Sequence, residues 1–433
     1  MAKKQFYRSS TLKNGTVLIT ERARNFKSLA LGVWVKGGSR HESSKQAGLA
    51  HFLEHMMFKG TTHRTSLDIA RQVDLVGGDF NAFTAREYTC FHLTLPAHEV
   101  DFALDLLSDI IKNSVFDATE IERERIVILQ ETAMVEESPE EWVHDVLFEK
   151  VYGNHPLGRQ ILGTQKSIKT FKRKDLLEYF QSHYSSKNIV ITAAGNIDHD
   201  AAVGKLNRLL GDFQGKKRKV PPACLKKPKF RPGLTIIRRD MDQVHLSISC
   251  ESYPINHKYR IAAFLLNSFL GGGMSSQLFQ AIREQKGYAY TVYSSLAPFT
   301  DCGLFGMYVA TSPKYVNECL RLMREEIEKL QLQPINKADL DVAKNSVMSA
   351  VRMGSDSMET RMFALAKSEL FYDSQLSDDQ ICAEIERVSP QEVWNVAREL
   401  FSKDAWHIVA LGALSKAQIE NNFYKIKKAK KKT

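Results

Sequence analysis

The string His51-Phe52-Leu53-Glu54-His55 holds side chains suited to binding and using a zinc ion, at a spacing that can deliver them. On a helix, residues four apart share a face with Cβ atoms about 5–6 Å apart, so two imidazoles so placed can reach one ion at about 2.0–2.1 Å. Glu54 follows His51 by three residues and precedes His55 by one. It can point into the same site without being a ligand, where a carboxylate can take the proton of a metal-activated water. Leu49, Phe52, Leu53, Met56 and Met57 supply apolar positions that pack such a helix and limit solvent access. Two histidines at this spacing also arise by chance, so the reading requires a third ligand on another rigid element.

A second helix offers one. Asp117 and Glu120 form a capping box with Phe116 in the staple position, and helical spacing runs on to about Val135. Glu124 and Glu131 are seven apart and share a stripe with the apolar Ile128 and Val135. Carboxylates on an apolar stripe are costly unless paired or bound to metal. The run Ile126-Val127-Ile128-Leu129 predicts that this helix is mostly buried. Periodicity leaves open which of the two glutamates is the ligand. The next helix opens at Ser138-Pro139-Glu140-Glu141, with proline in its first turn.

The elements that must hold these helices repeat one plan. In the first half, a strand over 29–34 leads to a helix from about residue 46. A glycine turn at 77–78, strands over 80–83 and 88–95, and a helix over 99–111 follow. In the second half, a strand over 245–250 leads to a helix over 259–270, strands over 288–294 and 303–310, and a helix over 316–330. Alternation marks the strands and three-to-four spacing marks the helices. The expected fold class is α+β: two related domains, each a mostly antiparallel sheet with helices packed on one face.

Residues 215–233 combine basic charge with four prolines and read as an exposed linker. The expected organisation is a first domain over 1–214, this linker, a second domain over 234–420 and a Lys-rich tail over 421–433. The formal charge of +10 is concentrated in the linker and tail; outside them 46 basic residues face 50 acidic ones. A nucleic-acid binder carries its charge on a folded face, so no nucleic-acid partner is expected. At 433 residues and 43% hydrophobic content, the chain can build real cores. No apolar stretch approaches the roughly 20 residues that span a bilayer, and no secretory signal is expected. Six cysteines without a CxxC pair read as free thiols in a reducing compartment, for which a bacterial cytoplasm is the first choice and a mitochondrial matrix the second.

Taken together, these residues resemble the M16 family of zinc metallopeptidases, the inverzincins, and most of all its mitochondrial-processing-peptidase type. The resemblance extends through Gly77-Gly78-Asp79-Phe80-Asn81-Ala82-Phe83-Thr84, His155-Pro156-Leu157-Gly158 and Gly271-Gly272-Gly273-Met274-Ser275-Ser276, with Arg283, Gly287 and Tyr290, and so covers nearly the whole chain. It implies a zinc-dependent endopeptidase that hydrolyses peptides or unfolded polypeptide segments, with one Zn2+ per chain held by His51, His55 and Glu131. Glu54 would be the general base and Glu124 a support for a ligand histidine. The resemblance also implies that Asn81, Ala82 and Phe83 pair with the substrate backbone, that Arg283 and Tyr290 grip substrate and oxyanion, and that Glu141 and Asp145 receive a basic side chain. The second half reads Phe264-Leu265-Leu266-Asn267-Ser268 where the motif would recur and carries no histidine there. Family members of this length pair two chains, each forming half of a clamshell chamber. The presence of both residue sets favours a homodimer over a heterodimer. A catalytically silent structural or peptide-binding subunit of the same fold is the alternative.

Overall fold

Residues 6–215, 226–372 and 374–424 are described in a computed structural model; residues 216–225 of the expected linker and 425–433 of the expected tail lie outside them. Two compact units divide the chain. The first holds the described residues of Met1–Met134, His155–Lys226 and Arg352–Ser377, and the second those of Val135–Asn154, Lys227–Val351 and Asp378–Thr433. The linear division read from the sequence therefore needs correcting. Residues 135–154 pack with the second unit and 352–377 with the first.

The sheet of the first unit has the strands β1 (Tyr7–Thr11), β2 (Val17–Arg22), β3 (Ser28–Val35), β4 (Asp79–Thr84), β5 (Thr89–Pro96) and β6 (Ile189–Gly195), in the order β1-β2-β6-β3-β5-β4. Only β2 and β6 run parallel. The central strands are apolar at nearly every position because both faces are covered. On one face Leu29, Leu31, Val33, Val35, Ile189 and Ile191 meet the helices α1 (Leu49–Met56), α2 (Ser66–Leu75) and α3 (Val100–Asn113) in one core. On the other face Ala30, Trp34, Val190 and Ala194 meet the helix Met358–Phe371 through Met358, Met362 and Leu365. The sequence placed helices on one face only; this second cover comes from 160 or more residues further along the chain, which local periodicity does not register.

The second unit repeats the plan. Its strands β7 (Gly233–Ile237), β8 (Val244–Ser252), β9 (Ala289–Pro298), β10 (Gly303–Thr311) and β11 (His407–Leu411) run in the order β7-β11-β8-β10-β9, with only β7 and β11 parallel. Chain order and pairing match β2, β3, β4, β5 and β6 of the first sheet, one for one. Val244, Leu246, Ile248 and Cys250 of β8 point into a core with helices Arg260–Gly271, Val316–Leu332 and Pro390–Ser402. The opposite face of β8 is polar and is covered by a helix from the first half of the sequence, Pro139–Tyr152. There His144 Nε2 shares a hydrogen bond with the Tyr293 hydroxyl at 2.9 Å, and that hydroxyl donates to Glu140 at 2.8 Å.

The long helix between α3 and Pro139–Tyr152 is α4 (Ala118–Glu137). Asp117 accepts the Thr119 and Glu120 amides, which is one half of the capping box read from the sequence, while the Glu120 carboxylate pairs with Arg123. Its buried stripe is Ile121, Glu124, Ile128 and Thr132. The expectation of a mostly buried helix fails, since Ile126 is 60% and Val127 45% exposed. At 100° per residue, four consecutive apolar side chains cannot all face one core.

Candidate metal centre

The HxxEH string lies on α1, an eight-residue helix whose N-cap is Gly48 at φ +91°. Leu49, Phe52, Leu53 and Met56 are fully buried and fix the helix against the sheet. This leaves His51 and His55 on the remaining face, one above the other, with ring centroids 4.6 Å apart. Helix α4 brings both glutamates to that face, Glu124 from its buried stripe and the half-exposed Glu131 two turns on. Glu131 Oε2 lies 3.7 Å from His51 Nε2 and 3.5 Å from His55 Nε2. One ligand atom from each of the three residues lies within 4.8 Å of the others, which makes them the sole such grouping among the described residues.

This donor set fits a zinc ion. A tetrahedral ion about 2.0–2.1 Å from each donor spaces its ligand atoms roughly 3.3 Å apart, and the two Glu131–histidine separations of 3.7 and 3.5 Å lie within a few tenths of an ångström of that. The electrostatics fit as well. Burial, with the neighbouring charge of His55, lowers His51 to about 4, so its imidazole is neutral and has a lone pair to offer. Burial alone would lower His55 too, but hydrogen bonds to Glu124 and Glu131 outweigh it and raise His55 to about 9. A proton on His55 thus supplies positive charge where two carboxylates ask for it. Glu131 is held below its ordinary value, first by its hydrogen bond to His55.

Periodicity left Glu124 and Glu131 interchangeable; the geometry separates them. Glu124 turns to the other ring nitrogen, with Oε2 3.0 Å from His55 Nδ1, while its Oε1 meets Lys59 Nζ at 2.5 Å. A carboxylate on Nδ1 fixes the tautomer and leaves Nε2 free to bind a metal. The matching nitrogen of His51 is buried without a partner. Lys59 went unnoticed in the sequence, although it continues the i+4 spacing from His55. Replacing Glu124 by Gln is expected to weaken zinc binding by about 10–100-fold, measured by competition with a chromophoric chelator.

Glu54 is buried and donates no ligand atom to the cluster. Burial raises its carboxyl to about 6, against the pull of the Thr84 hydroxyl, which donates to Oε2 at 2.5 Å. Thr84 ends β4, the outermost strand of its sheet, and no described strand pairs with its outer edge. Asn81 and Ala82 of β4 line an open pocket with Glu54, His55, Lys59 and Glu124. The Phe83 ring does not join them: it packs edge-on against Trp34, Tyr88 and Phe363. Only its backbone is free for pairing.

The remaining residues singled out belong to the second unit. Arg283 lies on a π-helical turn, Phe279–Glu284, with its guanidinium 4.7 Å from the Phe279 ring centre and 4.5 Å from that of Tyr290. Its Nη1 donates to the Tyr290 carbonyl at 3.0 Å. Tyr290 is 77% exposed, so its hydroxyl end is accessible. Glu141 is exposed and Asp145 half-buried, one turn apart on Pro139–Tyr152.

Comparison with known proteins agrees with this frame. The family description "Insulinase (Peptidase family M16)" matches residues 17–165, and "Peptidase M16 inactive domain" matches residues 170–347. An uncharacterized zinc protease of Mycobacterium tuberculosis is 36% identical, covering 92% of this chain and 91% of its own. The chain belongs to peptidase family M16. A second relative, an uncharacterized zinc protease of Bacillus subtilis, is 34% identical over 91% of this chain and 95% of its own. The M16 fold recurs in a protease from Helicobacter pylori, with TM-score 0.88 and 22% identity over 94% of this chain and 99% of that one. It recurs also in a peptidase M16 inactive domain from Pseudomonas fluorescens, with TM-score 0.86 and 19% identity over 94% and 98%. The inactive-domain match agrees with helix Arg260–Gly271, the second-unit counterpart of α1, which carries no histidine. Among the described residues no helix is long and apolar enough to cross a membrane.

Proposed function

We propose that this chain is a zinc-dependent endopeptidase acting on peptides or unfolded polypeptide segments. The observation that carries the reading is the convergence of His51 Nε2, His55 Nε2 and Glu131 Oε2 beside a buried carboxylate, Glu54, that is not among them. Zinc bound by these three residues would polarise the scissile carbonyl and lower the pKa of a water. Glu54, mostly ionised at neutral pH, accepts the proton of the attacking water and passes it to the departing amine. The Thr84 hydroxyl holds the Glu54 carboxylate in place, and Glu124 orients His55.

Substrate adds as a strand to the free edge of β4, beside Glu54, so main-chain hydrogen bonds give affinity without demanding a sequence. Such pairing needs an extended segment, which is why unfolded chains are the substrates. Arg283, already stacked and oriented, binds substrate backbone, and the exposed Tyr290 hydroxyl donates to the oxyanion. Glu141 and Asp145 receive a basic side chain near the cut. The protein works as a homodimer in the bacterial cytoplasm, each chain forming half of a closed chamber. This assignment rests on its bacterial relatives and on the presence of both residue sets in one chain.

The test compares hydrolysis of a denatured polypeptide and of the same polypeptide folded, before and after metal removal by a chelator. Cleavage of the denatured form alone, lost on chelation and restored by zinc, is expected; cleavage that survives chelation sinks the proposal. Within it, Glu141→Gln should slow cleavage of Arg-containing peptides about tenfold more than Arg-free ones. Equal effects on both would remove the acidic pair from specificity.

A further inference from the structure

The short helix α1 is not held by its own sequence. Isolated helices below about 12 residues are marginal, and an αL glycine at the N-cap supplies no capping side chain. The cap comes from Glu42, which has no exposed surface. One of its carboxyl oxygens accepts the Gly48 amide at 2.9 Å and the other the Ala50 amide at 2.7 Å. Ala50 immediately precedes the first histidine of the motif. Burial lifts the Glu42 carboxyl to about 8, against the pull of these amides and of Arg159.

Arg159 completes the arrangement from a distant loop: its Nη1 donates to the Glu42 carbonyl at 2.6 Å. The same loop presses on the helix start through backbone alone. A Cβ on Gly48 would lie 2.4 Å from the Leu162 carbonyl oxygen, and one on Gly163, at φ +80°, 2.4 Å from that of Ala47. The loop follows His155-Pro156-Leu157-Gly158, a stretch noticed in the sequence to which neither the metal centre nor the peptide edge gives a task. Its Leu157 carbonyl accepts Arg86 Nε at 3.2 Å. The segment entering α1 is fastened once more by the buried pair Arg40–Glu87 at 2.7 Å.

We infer that Glu42 and Arg159 form a clasp that sets the direction of α1 and thereby the aim of His51 and His55 at the metal. Both are positioning residues, since neither belongs to the ligand cluster, and the inference rests on the zinc reading above. The magnitude is sufficient. Turning α1 by 10° about its axis would move an imidazole nitrogen by roughly 1 Å, whereas metal–ligand distances tolerate about 0.2 Å. Because both Glu42 oxygens accept N–H groups, a glutamine there sets its own amide hydrogens against a backbone donor and opens the clasp without changing volume.

The test uses the full chain with Glu42→Gln and, separately, Arg159→Gln and Arg159→Lys. Zinc affinity is read by chelator competition, the metal-free melting temperature by circular dichroism, and kcat and KM on a peptide. The expected result for both glutamine variants is a 10–100-fold loss of zinc affinity and a similar fall in kcat, with KM nearly unchanged and the metal-free melting temperature lowered by no more than the few degrees that one lost cap costs. Arg159→Lys, which keeps the charge and one donor, recovers most of the affinity. A merely structural role would lower the melting temperature and leave zinc affinity alone, and that outcome overturns the clasp. Should Glu42→Gln not fold, the Arg159 pair decides by the same criterion. Wild-type protein that binds no zinc overturns the zinc reading itself, whereas wild-type and variant proteins binding it equally overturn only the clasp.

Discussion

Glu54→Gln is expected to reduce peptide hydrolysis by about 10²–10⁴-fold while leaving one zinc per chain. The two halves of that expectation come from different features. Retention of metal follows because Glu54 donates no atom to the His51, His55 and Glu131 cluster. Loss of hydrolysis follows because the amide cannot accept the proton of the attacking water. Glutamine keeps the shape and can still accept from the Thr84 hydroxyl, so the pocket is preserved. Metal analysis and turnover on one preparation check both. Equal turnover in the two proteins would remove Glu54 as the base.

Glu131→Gln should lose zinc by more than the 10–100-fold expected for Glu124→Gln, because it removes the one carboxylate of the ligand cluster rather than a support. The structure makes this asymmetry specific. Glu131 Oε2 faces the Nε2 atoms of both histidines, whereas Glu124 faces only Nδ1 of one. Competition titrations of the two variants against wild type check the order. If Glu124→Gln proves the more damaging, the roles of the two glutamates are reversed.

Much of this centre was legible in the sequence because its geometry is local. The i, i+4 histidines needed only a helix, and the seven-residue spacing of Glu124 and Glu131 needed only a second one. The choice between the glutamates was beyond periodicity, since a seven-residue spacing puts both on one side of α4; resemblance to M16 gave Glu131 the ligand role, and in the structure it is Glu131 that faces the Nε2 atoms of both histidines. Glu42 left no periodic trace, because it caps α1 from outside any helix and its amides lie six and eight residues away. The duplicated sheet was readable from strand alternation. The exchange of helices between units was not, because amphipathic spacing shows that a helix has an apolar face and says nothing of which sheet receives it. Tyr293 illustrates the difference. It reads as one of several β9 aromatics, yet its hydroxyl joins Glu140 and His144 from a helix about 150 residues earlier.

The central claim is that two imidazoles and one carboxylate converge on a single ion. X-ray absorption on the zinc-loaded full-length protein, with zinc content measured on the same sample, tests it most directly. The account predicts one zinc per chain with two imidazole nitrogens and a carboxylate oxygen among its ligands, a signature lost in Glu131→Gln. Zinc bound through sulfur, or a wild-type chain that holds none, would contradict it.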